Sequence, residues 1–385
     1  MADRQAPMTK QSYPDFRNQI LITAAALTAV ILVTLDSTIA TIALTRIQSN
    51  LSASPEQITW VLTSYLISAA VMTPLAGWLA DRFGRTRIMA VSVLVFTLSS
   101  LGCGLAPNLE LLVLFRFIQG AAGASLVPLS QVMLIDIWPP EKHGTAISLF
   151  GIGALVGPML GPTLGAWLIE YISWRWIFLI NVPIGALSLA GFAIFAFDDR
   201  KVAGLRFDLK GFILISVAIT AMQLLLDRGQ LLDWFSSSEI IIEAFLMVLF
   251  GYLGIVHIFT VSDPFIKPAI FKDRNYAIGT AISALLGIVM VGAIPLITAM
   301  MQQLLGYPVM LTGMVSLPRA FGNILTVIIA GQLAGRVDGR LVIASGMAMT
   351  VGAFYQLTRM GFDTTPQDLA WVSFLQGLGS GCIFL

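Results

Sequence analysis

Charged residues are scarce in this sequence. Asp, Glu, Lys and Arg make up 11% of its 385 residues, whereas a typical soluble domain contains about 25%. Hydrophobic residues make up 57%, and the mean hydropathy is +0.86. This composition excludes an ordinary soluble domain and indicates a protein that is solvated mainly by lipid. The net charge of +1 gives no indication of nucleic-acid binding.

Cysteine and histidine are also rare, with two of each. Cys103 and Cys382 both lie inside apolar runs, which argues against a disulfide framework and against a thiolate metal site. His143 and His257 stand far apart, and the sequence contains no Gly-x-x-x-x-Gly-Lys phosphate loop. The sequence therefore predicts no metal, no cofactor and no ATP-driven step. It also lacks a recognisable set of nucleophile and base, so it does not predict an enzyme.

Long apolar runs dominate the chain. A helix needs about 20 mainly apolar residues to cross the hydrocarbon core of a membrane. The first run is too long for the apolar region of a cleaved signal peptide, so the first helix is expected to stay in the membrane. The runs fall at 19–45, 58–79, 88–105, 109–135, 144–169, 176–197, 210–226, 240–260, 276–305, 309–334, 341–358 and 369–385.

The basic residues favour one orientation. With the N-terminus inside, 16 Lys and Arg lie in the tail and the loops of that side, against 4 on the other side. Positive residues concentrate in cytoplasmic loops. The sequence therefore predicts a multi-pass membrane protein with a cytoplasmic N-terminus.

A charged turn separates the second and third apolar runs. Its key residues are Gly77, Asp81, Arg82, Gly84 and Arg85. A degenerate copy starts 254 positions later, at Gly331. The turn alone could be a positive-inside anchor, but its repetition indicates a protein built from two similar halves.

A second repeat predicts an insertion between the halves. Gln119-Gly120 returns 257 positions later as Gln376-Gly377, although six spans occupy only about 180 residues. About 75 inserted residues would form a two-helix hairpin. The predicted all-α organisation is a cytoplasmic tail at 1–18, a six-helix bundle at 19–197, a linker plus inserted hairpin at 198–265 and a partial C-terminal bundle of about four helices at 266–385. An equal second half would run to about position 450, so we expect this bundle to be truncated by two spans.

Together these motifs resemble the major facilitator superfamily. The charged turn resembles the loop between the second and third helices of that family, and Arg116 with Gln119 and Gly120 resembles its fourth-helix motif. A further stretch resembles the fifth-helix motif associated with antiporters; its key residues are Gly157, Gly161, Pro162 and Gly165. Other stretches resemble the fourteen-span drug:proton antiporters of the EmrB/QacA type, namely 35–39, 174–178, 180–185, 226–229 and 232–237. Two positions depart from the family pattern: Ala166 replaces a glycine and Gly335 replaces an acid.

The resemblance implies a fold of two six-helix bundles and a proton-coupled efflux of hydrophobic drugs and toxic compounds by alternating access. It implies that Asp81 meets the end of a neighbouring helix and a basic residue, which would hold the inner side closed. It also implies a periplasmic adaptor of the membrane-fusion type and an outer-membrane channel as partners. The glycine-rich fifth helix could instead serve close packing alone, because its spacing leaves bare backbone on one face.

Three charged residues lie deep inside apolar runs: Asp36, Arg116 and Arg319. A charge at the bilayer centre costs about 2.5–3.5 kcal/mol on insertion scales, so each should face the protein interior or a wet cavity. Counted along their helices at about 1.5 Å per residue, all three reach a comparable depth. A carboxylate whose surroundings alternate between an arginine and an apolar cavity can bind and release a proton, so Asp36 with Arg116 is the candidate proton-coupling pair. Gln119, Asn181 and Arg319 are candidate cavity residues.

Other interpretations stay open. Asp36 and Arg116 could form a static pair that locks two helices. The fold does not set the cargo, so the protein could be a dedicated exporter of a metabolite, siderophore or peptide. It could also be a truncated fragment that does not transport. A substrate panel would separate the two kinds of exporter.

Overall fold

The computed structural model describes residues 14–194, 207–333, 338–361 and 363–383, and the regular structure of these residues is entirely helical. The helices are α1 (Phe16–Asn50), α2 (Pro55–Phe83), α3 (Arg85–Leu105), α4 (Leu109–Gly123), α5 (Leu126–Ile137), α6 (His143–Tyr171), α7 (Trp176–Leu179), α8 (Asn181–Ile194), α9 (Leu209–Arg228), α10 (Ser238–Thr260), α11 (Arg274–Ala299), α12 (Val309–Leu333), α13 (Gly339–Thr358) and α14 (Pro366–Ile383).

As far as the structure describes them, the twelve predicted apolar runs are helical or nearly so. Within the described ranges, ten spans are long and apolar enough to cross a membrane; α4 with α5 and α7 with α8 each count as one of them. The first span differs from its prediction, because α1 covers Phe16–Asn50 rather than 19–45. Helical hydrogen bonds continue through its polar ends, which hydropathy alone cannot detect. The run 276–305 also continues beyond α11, as a π-helical turn at Met300–Leu304.

Local sequence explains where several helices begin. Ser54 and Gln57 form a capping box at the start of α2: the Gln57 amide donates to Ser54 Oγ (3.1 Å) and the Ser54 amide to Gln57 Oε1 (3.0 Å). Asn108 caps α4 by accepting from the Leu111 amide at 3.0 Å. Gly84 joins α2 to α3 with φ +99°, a conformation that L-residues with side chains rarely adopt. These short connections make the successive spans antiparallel. We call the end of the molecule that carries Gly84 the charged-turn end, and the opposite one the Asn108 end.

Helix α1 lies at the centre of the first eight helices. It packs along α6 and α8, while α2 packs on α4 and α9, and α3 packs on α4 and α8. Two buried apolar clusters result: one includes Leu32 and Ile137 toward the charged-turn end, and the other includes Leu35 and Leu112 toward the Asn108 end. Asp36 lies between them, so its polar partners must come from the protein.

The internal repeat is visible in the packing. A Cβ added to Gly120 would lie 2.3 Å from the carbonyl oxygen of Tyr65, so α4 touches the backbone of α2. A Cβ added to Gly377 would lie 2.0 Å from the carbonyl oxygen of Arg319, so α14 touches α12 in the same way. Tyr65 and Arg319 are 254 positions apart, the offset of the charged turn and its copy. The two copies also meet each other, because α12 packs against α6.

Candidate functional site

A buried ion pair joins α1 to α4. Arg116 Nη1 donates to Asp36 Oδ2 at 2.7 Å, and both side chains are 1% exposed. The two residues that the sequence singled out at comparable depth are therefore in direct contact. Removing one partner of such a pair leaves an uncompensated buried charge, which costs about 3–5 kcal/mol.

Two amides complete the surroundings of the carboxylate. Gln119 Nε2 donates to Asp36 Oδ1 at 2.9 Å, and Asn181 Nδ2 donates to the same oxygen at 2.7 Å. Both amides are fully buried. The structure thus brings two of the predicted cavity residues onto Asp36. Its carboxylate accepts three hydrogen bonds from α4 and α8, which compensates much of the cost of burying it.

The guanidinium of Arg116 also contacts several groups besides Asp36. Its Nε donates to the carbonyl oxygen of Val61 at 3.1 Å, and its Nη1 also donates to Gln119 Oε1 at 3.0 Å. The aromatic rings of Tyr65 and Phe178 lie 4.3 and 5.7 Å from its central carbon. Hydrogen bonds, the carboxylate and ring faces together hold the charge in one geometry.

Sequence reasoning missed a second layer around this pair. Ser100 Oγ accepts from Asn181 Nδ2 at 2.9 Å and donates to the carbonyl oxygen of Phe178 at 2.9 Å. Val61, Tyr65 and Ser100 lie in apolar runs, where nothing in the sequence sets them apart from packing residues. Asn181 Oδ1 is buried and has no hydrogen-bond partner among the described residues. The cluster therefore retains one free acceptor.

The glycine face of α6 lies against the α1 segment that carries Asp36. A Cβ added to Gly157 would lie 2.4 Å from the Leu35 amide nitrogen. One at Gly161 would lie 2.8 Å from Thr38 Cβ, and one at Gly165 would lie 3.2 Å from Ile39 Cγ2. The predicted close packing is present. Pro162, the other key residue of this motif, lies inside the same helix.

The contacts of the charged turn differ from those that the resemblance implies. Asp81 and Arg82 are exposed at the end of α2, and no hydrogen bond or ion pair joins Asp81 to another described residue. Arg85 forms an ion pair with Asp136 instead, which ties α3 to the end of α5. The reason is rotational: the inward position of the last α2 turn is taken by Ala80, which is 1% exposed. Asp81 consequently points to solvent.

Other predicted residues lie apart from the cluster. Nothing lies within 4 Å of a Cβ added to Gly77. Arg319 is half-buried on α12, and no hydrogen bond or ion pair links its side chain to a described residue. In the second copy of the turn, residues 334–337 lie outside the described ranges, including Gly335. The described residues contain no group of three His, Cys, Asp or Glu that could hold a metal ion.

Comparisons with known proteins agree with this architecture. The family model of the Major Facilitator Superfamily matches residues 26–385. Multidrug export protein EmrB of Haemophilus influenzae is 35% identical over 368 residues, which cover 95% of this chain and 72% of that protein. Fatty acid resistance protein FarB of Neisseria gonorrhoeae is 35% identical over 377 residues, covering 97% of this chain and 74% of that protein.

Solved structures show the same fold. The proton:xylose symporter XylE bound to 6-bromo-6-deoxy-D-glucose superposes with a TM-score of 0.66 at 14% identity, covering 96% of this chain and 81% of that one. An inward-open structure of XylE from E. coli gives a TM-score of 0.58. At this identity the likeness concerns the fold alone. With the family match, the apolar spans and the repeated helix contacts, it follows that this multi-pass membrane protein belongs to the Major Facilitator Superfamily.

Proposed function

We propose that the protein exports hydrophobic, chemically varied compounds in exchange for protons across the bacterial inner membrane, with its N-terminus in the cytoplasm. The buried Asp36–Arg116 pair is the observation that carries this proposal, because an ionisable pair inside a membrane is expensive and marks an ion pathway by default. The 35% identity to EmrB supports drugs as the cargo. Proton coupling and alternating access are part of the proposal.

The chemistry of the pair suits coupling to protons. In the arrangement seen here, Arg116, Gln119 and Asn181 all donate hydrogen bonds to the Asp36 carboxylate. In the other state of the proposed alternating-access cycle, α1 separates from α4 and α8 far enough to weaken these hydrogen bonds. The desolvated carboxylate then binds a proton. Return of Arg116 expels that proton toward the other side. One charge moving through 100 mV releases about 2.3 kcal/mol, enough for a roughly 50-fold substrate gradient.

Two other features supply the motion in this proposal. The Gly157–Gly165 face allows α6 to shift along α1 because the glycines of α6 place no side chains of their own between the two helices. The charged turn acts as the cytoplasmic gate, and its Arg85–Asp136 pair holds α3 to α5 while that side is closed. Opening would exchange this partly exposed pair for contacts with water, at a small cost.

The proposal extends to partners. The resemblance to antiporters of the EmrB type supports a periplasmic adaptor and an outer-membrane channel, which would carry the cargo beyond the cell envelope. Small hydrophobic substrates, protons and the lipid bilayer complete the set, and no nucleic acid is involved.

A second candidate is the dedicated export of amphipathic acids. The relative FarB is described as a fatty acid resistance protein. The half-buried Arg319 has no ion-pair partner among the described residues and could receive a carboxylate. A panel of cationic drugs and fatty acids would separate the candidates. Protection against the drugs supports the first, and protection against fatty acids alone supports the second.

Transport in vesicles tests the proposal most directly. The full-length polypeptide would be reconstituted, and substrate movement measured with and without an imposed pH gradient, with a protonophore as control. We expect uptake into inverted vesicles that stops when the gradient is collapsed. Uptake that is indifferent to the gradient would overturn the coupling to protons.

A further inference from the structure

The inserted hairpin α9–α10 touches the same segment of α2 that holds Arg116. At the end of α9, Asp227 accepts a hydrogen bond from Thr63 Oγ1 of α2. Thr63 is 1% exposed and Asp227 is half-buried, so the contact is partly buried. Asp227 belongs to the 226–229 stretch, which the proposed transport cycle leaves without a role.

The next residue makes a second contact with α2. The guanidinium carbon of Arg228 lies 5.7 Å from the ring centre of Trp60. Arg228 also forms an ion pair with Glu239 in the first turn of α10. Arg228 therefore joins α9 to α10 at the corner of the hairpin and also contacts α2.

The other face of this α2 segment carries the buried cluster. The Val61 carbonyl accepts from Arg116 Nε at 3.1 Å, and the Tyr65 ring lies 4.3 Å from the guanidinium carbon. Val61 and Tyr65 are four positions apart and share one helix face, whereas Trp60 and Thr63 are three apart and share another. Thr63 lies only about 3 Å along the helix axis from Val61. A displacement of α2 at the hairpin contact would thus reach Arg116 directly.

The opposite end of the hairpin is also attached to α2. Trp78 of α2 packs on Phe207 just before α9, with ring centres 4.7 Å apart. Phe207 packs in turn on Phe265, which follows α10, at 5.8 Å. Contacts at both ends mean that the hairpin and α2 behave as one unit.

We propose that Asp227 and Arg228 are positioning residues for the Asp36–Arg116 pair: they hold α2 at Thr63 and Trp60, so that Val61 and Tyr65 fix the guanidinium of Arg116. This inference rests on the proposed coupling role of Asp36. Among the residues that the structure describes, the ionisable groups near Asp36 are Arg116 of α4, Tyr65 of α2 and Cys103 of α3. The hairpin holds α2, which carries Tyr65 and contacts Arg116, so the hairpin controls the positions of two of these three groups.

The test compares Thr63→Val with Thr63→Ser in the full-length polypeptide. Proton-driven efflux per inserted molecule is measured over a range of pH. Valine keeps the shape but cannot donate to Asp227, so we expect an about tenfold loss of efflux and a shift of the pH profile by at least half a unit. Serine keeps the donor and should stay within about twofold of the wild type. Asp263→Asn, which removes an exposed pair with Lys267 (3.2 Å) beyond α10, is the matched control and should change neither quantity.

The outcomes separate this inference from the proposed function. A purely structural contact would lower the amount of inserted protein without moving the pH profile. If Thr63→Val shows the wild-type profile and rate, the positioning role is overturned, even when Asp36→Asn abolishes coupling. If Asp36→Asn keeps coupled efflux, the proposed function itself fails. If Thr63→Val does not insert into the membrane, Trp60→Leu is measured instead, because it removes the ring that Arg228 contacts. The same shift of the pH profile supports the inference, and a wild-type pH profile overturns it.

Discussion

Asp36 is held by donors that come from two helices distant in the sequence. A lone carboxylate in a low-dielectric interior would lose its charge, because burial without partners costs many kcal/mol. Here Arg116 supplies a charged donor, and Gln119 and Asn181 supply neutral ones at 2.9 and 2.7 Å. One charged donor and two neutral donors therefore share the stabilisation of the carboxylate.

The first prediction concerns Asp36→Asn. Asparagine keeps the size of the side chain and one acceptor for Arg116 but cannot titrate, so proton-driven efflux should fall to the background while the protein stays inserted. Efflux from inverted vesicles, normalised to the protein detected in the membrane, measures this. An unchanged, pH-dependent efflux would rule out the coupling role of Asp36.

At the scale of the helices, the α1–α6 interface is set by glycine. Gly153, Gly157, Gly161 and Gly165 are all buried on one face of α6, and three of them face the α1 residues on either side of Asp36. Side chains larger than hydrogen at these positions would push the two helices apart. How closely the Asp36 segment of α1 approaches α6 therefore depends on uncharged glycines.

Gly157→Ala should impair transport strongly. The added Cβ would lie 2.4 Å from the backbone nitrogen of Leu35, so one of the two helices must shift. Overpacking of this kind costs about 1–3 kcal/mol. Gly251→Ala in α10 is the control, because nothing lies within 4 Å of its Cβ. Efflux and thermal stability should fall for the first variant and stay near the wild type for the second; equal behaviour would contradict the tight interface.

A third prediction concerns the charged-turn end of the hairpin. Asp208 caps α9, and His257 of α10 lies 2.9 Å from its carboxylate. Burial alone would raise the pKa of Asp208, but hydrogen bonds from the Gly211 amide, His257 and the Phe265 amide outweigh it and lower the pKa below the ordinary 3.8. A lowered folded pKa contributes stability above the unfolded value, and this stability is lost as the pH falls through the folded pKa.

Asp208→Asn should therefore lower the melting temperature at pH 7, and its difference from the wild type should shrink below about pH 4. Thermal unfolding of the purified protein across this pH range is the measurement. Asp263→Asn serves as the control, since its pair with Lys267 is exposed. A difference that persists unchanged at low pH would show that the carboxylate charge is not what stabilises the hairpin.

For the whole molecule, two copies of one helix arrangement meet at α6 and α12. In each copy a glycine brings one helix onto the backbone of another, at Gly120 and at Gly377. The polar content of the copies differs: the first copy buries an ion pair, whereas Arg319 of the second has no such partner among the described residues. The repeat thus conserves packing and not chemistry.

Sidedness is the prediction at this scale. Glu110 is exposed at the Asn108 end and Glu141 at the charged-turn end. We expect Glu110→Cys to react with a membrane-impermeant maleimide in intact spheroplasts, and Glu141→Cys to react only after permeabilisation. The wild type controls for the native thiols, of which Cys103 is fully buried. The reverse labelling would invert the proposed orientation.

Sequence patterns predicted the apolar helices, the charged turn and the deep charges. Within the described residues, ten of the twelve predicted runs lie in helices long and apolar enough to cross a membrane. Hydropathy and span length are local quantities, and depth follows from counting residues along a helix. For this reason the sequence alone could predict the pairing of Asp36 with Arg116. The spacing of the motifs likewise predicted the repeat at Gly120 and Gly377.

Which faces of the helices meet is visible only in the folded protein. Rotation about a helix axis depends on the side chains of remote segments, so the sequence could not show that Asn181 donates to Asp36 or that Arg85, rather than Asp81, pairs across the charged turn. Nor could it show that Asp227 meets Thr63, 164 positions away. Position along the chain sets how deep a group lies, but packing sets which groups it touches.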